Sequence, residues 1–136
     1  MNINANISDP IVGWRQRPVP NLSNTELNAM TVDVEDYFQV EAFAPHIARE
    51  DWNNRECRVE RNMDRILQLF SDNNTKATFF TLGWVAERYP QIVRRIVGEG
   101  HELASHGLAH FRADHQSRPL FLADVKKAKR GCSGMP

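Results

Sequence analysis

Hydrophobic and polar residues alternate along the chain in a pattern that predicts short buried strands separated by amphipathic helices. Segments 28–34 and 76–82 have the β-branched and aromatic content of buried strands, and 101–105 is expected to form a third. Between the strands, apolar residues recur at helical spacing with charged residues among them. They are Val59, Met63, Ile66, Leu67 and Phe70 in one helix and Ile92, Val93, Ile96 and Val97 in the next. We expect a last helix over 120–130.

The order of these elements predicts an α/β domain built from βα units with a parallel sheet. In such sheets, ligands bind beyond the carboxyl ends of the strands. The first predicted strand ends at an acidic cluster, Asp33, Glu35 and Asp36, and the third leads into His106 and His110. The sequence therefore predicts a functional site where these two strand ends meet.

Length and composition are those of one globular domain. A chain of 136 residues can bury a hydrophobic core but is too short for two such domains. Its content of 41% hydrophobic and 25% charged residues argues against a disordered chain. Segment 1–27 is rich in proline, asparagine and serine, which predicts an irregular leader before the folded part.

Acidic and basic residues balance at 17 each, so no overall charge favours nucleic acid or an anionic membrane as a partner. Their distribution is uneven, because 31–60 carries eight acidic residues against three arginines. Acids at this density need a cation or water. The basic run at 111–136 has no interleaved aromatic residues after Phe121. We interpret it as a solvated helix face.

Signals for membrane insertion and secretion are missing from the sequence. No stretch approaches the roughly 18 to 20 consecutive apolar residues of a transmembrane helix. The amino terminus has neither the basic start nor the apolar run of a signal peptide. We therefore expect a cytoplasmic protein without a membrane span. Cys57 and Cys132 are isolated and are interpreted as two thiols rather than a disulfide or a zinc site.

Two histidines, His106 and His110, stand four positions apart in the segment HGLAH. On a helical turn, side chains at this spacing differ in direction by about 40°, so both imidazoles would face one metal ion. Alone, the pair also fits two partly exposed polar histidines, and the acidic cluster fits a helix cap or a solvated turn. Together, two histidines and one carboxylate supply three ligands and leave a metal ion an open position.

Four segments resemble the polysaccharide deacetylases of the NodB-homology type, most closely the subgroup found with bacterial exopolysaccharide gene clusters. They are TVDVEDYFQVEAF at 31–43, RVERNMDRILQLF at 58–70, KATFFTLGWVAERYPQIVRRIVGEGHELASHGLAH at 76–110 and FLADVKKAKR at 121–130. The segments follow the family's order and spacing. The resemblance implies a metal-dependent hydrolase that removes N-acetyl groups from the amino sugars of a polysaccharide or oligosaccharide, on a distorted (β/α) barrel with parallel strands.

The resemblance also implies roles for individual residues. Asp33 matches the family's general base, and His106 and His110 match its two histidine ligands. The family's adjacent pair of aspartates is replaced here by D-V-E-D, so either Asp36 or Glu35 could be the carboxylate ligand, and we choose Asp36. The expected metal is Zn²⁺, which would polarise the acetyl carbonyl and lower the pKa of its bound water from about 15.7 towards 7. The alternative for Asp33 is a carboxylate that only orients a ligand histidine.

The resemblance ends before the family's later motifs. Relatives continue with segments that orient the base, line the substrate groove and supply a general acid, whereas GCSGMP at 131–136 does not resemble that continuation. We therefore expect 28–130 to be the amino-terminal part of an incomplete barrel in a truncated chain, with a separately encoded carboxyl-terminal half as partner. The alternative is a non-catalytic metal-binding or structural remnant, so turnover is left open.

Overall fold

The computed structural model describes residues 28–133, so the leader predicted over 1–27 lies outside it. Within these residues, a parallel sheet has the strand order β1, β2, β3, with strands at Thr31–Val34, Thr78–Thr81 and Glu102–Ser105. The α-helices are α1 at Val59–Asp72, α2 at Gly83–Arg88, α3 at Pro90–Gly98 and α4 at Arg118–Ser133. The predicted α/β architecture with a parallel sheet is confirmed.

Helix α1 covers one face of the sheet with the apolar stripe that the sequence predicted. The residues that it buries are Val59, Met63, Leu67 and Phe70. This spacing follows the 3.6-residue period, which places the four side chains on one side of the helix. They pack into a single core with Val34 and Phe79 of the sheet and Ile96 of α3.

The region between β2 and β3 consists of two helices that meet at Pro90. Proline is well suited to begin α3, because the first residue of a helix needs no hydrogen-bonding N–H group. Proline also disfavours the α conformation at the residue before it. Tyr89 accordingly has φ −127° and ψ 57°, outside the helical region. The chain therefore changes direction between α2 and α3.

The sheet register brings the carboxyl ends of the three strands to one edge. Val34, Thr81 and Ser105 stand side by side there. Because side chains alternate between the faces of a strand, Asp33 lies on the opposite face from Val34. Val34 is 1% exposed in the core, whereas Asp33 is exposed. The segments that follow β1 and β3 leave the sheet together at this edge, as the strand order predicted.

Helix α4 packs against α2 and β3 and buries Ala128 completely. The helix predicted over 120–130 is confirmed, although it begins earlier, at Arg118, and continues to Ser133. Helix α4 therefore includes the first residues of 131–136, the segment that the sequence predicts to be a tail beyond the domain. The predicted end of the domain at residue 130 stays a prediction. Neither α4 nor another helix within 28–133 has the length and apolarity to cross a bilayer.

Both cysteines are free thiols, as the sequence predicted. Burial is the main reason that the pKa of Cys57 and the pKa of Cys132 are raised. A raised pKa lowers the fraction of thiolate, which is the nucleophilic form. Both thiols are therefore poorly reactive at neutral pH.

Candidate metal centre

Three side chains, Glu35, His106 and His110, meet at the carboxyl edge of the sheet. The Nε2 atoms of the two histidines are 3.1 Å apart. Glu35 Oε2 lies 3.3 Å from His110 Nε2 and 4.0 Å from His106 Nε2. One ligand atom from each residue lies within 4.8 Å of the other two. The structure thus brings both predicted histidines together with Glu35, which the sequence analysis gave as the alternative to Asp36 for the carboxylate ligand.

The HGLAH segment that carries the histidines is a loop, so the prediction of a helical turn was wrong. Gly107 has φ 76° and His110 has φ 57°, both in the left-handed region. Glycine adopts this conformation freely, whereas another residue there costs roughly 1–2 kcal/mol. The two imidazoles nevertheless converge, because these left-handed residues redirect the chain. Contacts from elsewhere must therefore stabilise His110.

Helices α2 and α4 supply part of that support. The N–H groups of Gly83 and Trp84 donate to the carbonyls of Gly107 and Leu108, each at 2.8 Å. The first N–H groups of a helix have no partner within it, so the loop satisfies the start of α2. The Leu108 N–H donates to Asp124 Oδ2 of α4 at 3.2 Å. The loop is therefore held between two helices.

Gly83 lies where α2 meets this loop, and a methyl group has no room there. A Cβ atom at this position would lie 2.9 Å from Leu108 Cδ1 and 3.2 Å from the Cα atoms of Leu108 and Ala128. We expect Gly83→Ala to lower the free energy of unfolding by about 1–3 kcal/mol, because the loop and α4 must move apart. Urea denaturation measures this difference.

The matched control for this prediction is Gly98→Ala. An added Cβ at Gly98 has no neighbour within 4 Å, and alanine favours a helix over glycine by about 1 kcal/mol. We expect this variant to be as stable as the unmodified chain or slightly more stable. Equal unfolding free energies for the two variants would contradict the close packing at Gly83.

The Glu35 carboxylate lacks a hydrogen-bond partner that its burial requires. Its Oε2 atom is buried and accepts no hydrogen bond within residues 28–133. Burial is the main reason that the pKa of Glu35 is raised; His110 and His106 lower this pKa, and the charge of Asp33 raises it further. A buried carboxylate oxygen without a partner is costly. A cation held by this oxygen and the two imidazoles would remove that cost, so the residues fit a divalent metal ion such as Zn²⁺.

Asp36, the carboxylate preferred from the sequence, contacts the start of α1 instead of the two histidines. Its Oδ1 accepts from the Tyr37 N–H at 2.9 Å, and its Oδ2 accepts from the N–H groups of Arg58 at 2.5 Å and Val59 at 2.9 Å. The side chain is 4% exposed. Carboxylates favour helix N-termini because they satisfy free N–H groups there. Asp36 therefore caps α1, and the structure does not bring it together with the two histidines.

Asp33, the predicted general base, lies on β1 two positions before Glu35. Its side chain is exposed, and its charge contributes to the raised pKa of Glu35. Asp33 therefore lies within electrostatic reach of the cluster without belonging to the three residues that compose it. This position suits a carboxylate that contacts water or substrate rather than the metal.

Two further side chains, which the sequence analysis did not identify, reach the histidine loop. Glu41 Oε2 lies 3.9 Å from His110 Nδ1. Arg49 donates from Nε to the Ala109 carbonyl and from Nη2 to the His110 carbonyl, each at 2.9 Å. Both come from the segment between β1 and α1, which folds back in three 3-10 helices: Tyr37–Gln39, Glu41–Phe43 and Arg49–Asn54. Because both residues lie far from the loop in the sequence, no local pattern identifies them as its neighbours. The only hint is the high density of acidic residues in 31–60, which includes Glu41.

A small open cavity of about 190 Å³ adjoins the imidazoles. It is lined by Glu41, His106, His110, Phe111 and Arg112. A larger cavity of about 530 Å³ lies at the amino-terminal edge of the sheet, around Lys76 and Glu102. That cavity contains none of the predicted site residues, so its size does not identify the functional site. The cluster of Glu35, His106 and His110 instead places the candidate chemistry beside the smaller cavity.

Known proteins resemble this chain in sequence. The family model described as polysaccharide deacetylase matches residues 52–133. A peptidoglycan-N-acetylglucosamine deacetylase of Bacillus cereus is 48% identical over 46 residues, which are 34% of this chain and 17% of the relative. A chitooligosaccharide deacetylase of Sinorhizobium fredii is 40% identical over 45 residues, which are 33% of this chain and 21% of the relative.

Solved structures resemble it in fold. A crystal structure of a peptidoglycan N-acetylglucosamine deacetylase has a TM-score of 0.55 and 28% identity, covering 78% of this chain and 39% of that chain. The peptidoglycan deacetylase PdaC of Bacillus subtilis has a TM-score of 0.57 and 21% identity, covering 79% of this chain and 44% of that chain. This chain thus spans less than half the length of either structure. The fold class, part of a NodB-type α/β barrel, is confirmed.

These similarities agree with the site geometry. The family model covers more than half of the chain, including the loop with His106 and His110 and the helices that hold it. The relatives named above are all deacetylases, of peptidoglycan or of chitooligosaccharides. This chain therefore belongs to the polysaccharide deacetylase family of hydrolases.

Proposed function

We propose that this chain is a metal-dependent deacetylase that hydrolyses the N-acetyl groups of amino sugars in a polysaccharide or oligosaccharide. The observation that carries the proposal is the buried Glu35 Oε2, which accepts no hydrogen bond within 28–133 and lies 3.3 Å from His110 Nε2. The names of two relatives support the substrate class, since they specify peptidoglycan N-acetylglucosamine and chitooligosaccharide.

The proposed ligands are Glu35, His106 and His110. Glu35 replaces Asp36 in this assignment because both Asp36 oxygens already accept backbone hydrogen bonds. Two imidazoles and one carboxylate match the protein ligands of hydrolytic Zn²⁺ sites, which keep a fourth position open. A bound Zn²⁺ supplies polarisation of the acetyl carbonyl and a lowered pKa for water at that position.

Asp33 is the proposed general base. Its exposed carboxylate would accept the proton that water loses as it attacks the acetyl carbonyl. Asp33 lies on β1, two positions before Glu35, and its charge contributes to the raised pKa of Glu35, which supports a place for it near the cluster. The cavity lined by Phe111 and Arg112 would receive the acetamido group and part of its sugar.

Zinc binding and acetate release test the proposal together. We expect the full chain to bind one Zn²⁺ and to release acetate from a chitooligosaccharide. EDTA should abolish the release, and added Zn²⁺ should restore it. Asp33→Asn should keep the Zn²⁺ dissociation constant while acetate release falls about 100- to 10,000-fold, because only the proton transfer is lost.

The two measurements separate the outcomes. Zinc binding without acetate release would support the non-catalytic alternative, a metal-binding remnant of such an enzyme. Failure to bind Zn²⁺ would overturn the proposal. The cytoplasmic location remains a proposal drawn from the sequence.

A further inference from the structure

Arg49 holds three consecutive residues of the histidine loop with one guanidinium group. Its Nε donates to the Ala109 carbonyl and its Nη2 donates to the His110 carbonyl, both at 2.9 Å. The group also stacks over the Phe111 ring, 4.0 Å from its centroid. The two carbonyls belong to the two peptide planes that flank the Cα atom of His110. Arg49 therefore holds both planes whose rotation defines φ and ψ of His110.

His110 depends on this support because its backbone is left-handed, with φ 57°. For a residue with a Cβ atom, this conformation costs roughly 1–2 kcal/mol. The planar fork of arginine fixes two acceptors in position and direction at once, which a point charge cannot do. If the planes relaxed towards negative φ, the imidazole would move from its place 3.3 Å from Glu35 Oε2.

We propose that Arg49 is a positioning residue, which keeps the Nε2 atom of His110 beside Glu35 Oε2 and His106 Nε2, where a metal ion would be held. The inference rests on the proposed metal site and adds a determinant of its affinity from another part of the chain. Arg49 lies 60 positions before Ala109 and 61 before His110. The segment between β1 and α1 thereby controls the geometry of a ligand that follows β3.

Zinc affinity of two Arg49 variants tests the inference. Arg49→Ala removes both hydrogen bonds and the stacking on Phe111. Arg49→Lys keeps the charge but offers a single nitrogen, which cannot hold the two carbonyls in a fork. Changes at groups that orient metal ligands typically cost about 10- to 100-fold in affinity, and we expect this loss for Arg49→Ala and a smaller one for Arg49→Lys. Competition with a chromophoric chelator measures the dissociation constant.

The matched control is Arg88→Ala. Arg88 also stacks on an aromatic ring, 4.0 Å from the centroid of Trp84, and also donates to an oxygen, the side-chain carbonyl of Asn53. Neither contact involves the loop at 106–110. We expect this variant to bind Zn²⁺ as the unmodified chain does. Equal losses of affinity in Arg49→Ala and Arg88→Ala would overturn the inference, because general destabilisation would explain both.

A second readout separates positioning from folding. The visible absorption of the Co²⁺-loaded chain reports the coordination geometry, and we expect it to change in Arg49→Lys while apo unfolding stays cooperative. If Arg49→Ala does not fold, the zinc affinity and the Co²⁺ spectrum of Arg49→Lys test the inference without it. Unchanged zinc affinity and an unchanged Co²⁺ spectrum in Arg49→Lys would overturn the role of Arg49 and leave the metal site intact. Failure of the unmodified chain to bind Zn²⁺ would instead overturn the proposed function and, with it, this inference.

Discussion

Replacing Glu35 with glutamine is expected to raise the Zn²⁺ dissociation constant by well over 100-fold, more than the loss of a group that only orients a ligand typically costs. The amide is neutral and has nearly the shape of the carboxylate, so the change removes the charge with little change in packing. In the structure this carboxylate supplies the oxygen of the three-residue cluster, 3.3 Å from His110 Nε2 and 4.0 Å from His106 Nε2. Competition with a chromophoric chelator at neutral pH measures the effect.

The neighbouring acid provides the control. Asp36→Asn makes the same chemical change one position along the chain, where the carboxylate accepts backbone hydrogen bonds instead of facing the histidines. We expect the folded Asp36→Asn protein to bind Zn²⁺ with nearly unchanged affinity. The reverse result would be that Glu35→Gln keeps its Zn²⁺ affinity and Asp36→Asn loses it. That result would contradict the assignment of Glu35 and restore Asp36 as the proposed ligand.

Asp36→Ala is expected to lower the free energy of unfolding by roughly 3–5 kcal/mol. The variant leaves three N–H groups, those of Tyr37, Arg58 and Val59, without their acceptor. A helix cap is typically worth about 1 kcal/mol, and each buried donor left unpaired costs about 1–3 kcal/mol. Because a domain is usually stable by only about 5–15 kcal/mol, this loss is large. Urea denaturation followed by circular dichroism measures the difference.

Glu60 offers a comparison within the same helix. It is an exposed acid in the first turn of α1, where a negative charge stabilises the helix by only about 0.3–1 kcal/mol. We expect Glu60→Ala to cost no more than that. A destabilisation by Asp36→Ala as small as that of Glu60→Ala would show that the three hydrogen bonds contribute little to stability.

The helices and strands could be predicted because their signals are local. The apolar stripe of α1 repeats with the helical period, and Pro90 marks the start of α3 within a few residues. Parallel strands joined by helices bring their carboxyl ends to one edge. The convergence of Glu35, which follows β1, with His106 and His110 follows from that topology.

The conformation of the histidine loop could not be predicted in the same way. The spacing of His106 and His110 fits a helical turn, but Gly107 and His110 adopt left-handed conformations. This loop is stable because α2, α4 and Arg49 satisfy its carbonyls and an N–H group. Those partners lie far from it in the sequence, so the spacing of the histidines carries no information about them.

By itself, the sequence determined the family, the α/β architecture and the two histidines of the site. Each of these depends on short-range periodicity or on motifs whose residues and spacing are read directly along the chain. Only the tertiary structure decided which acid joins the histidines. Asp36 accepts from N–H groups 22 and 23 positions away at the start of α1, so the neighbouring Glu35 supplies the carboxylate at the site. A hydrogen bond between distant segments depends on how the elements pack, and no local pattern encodes it.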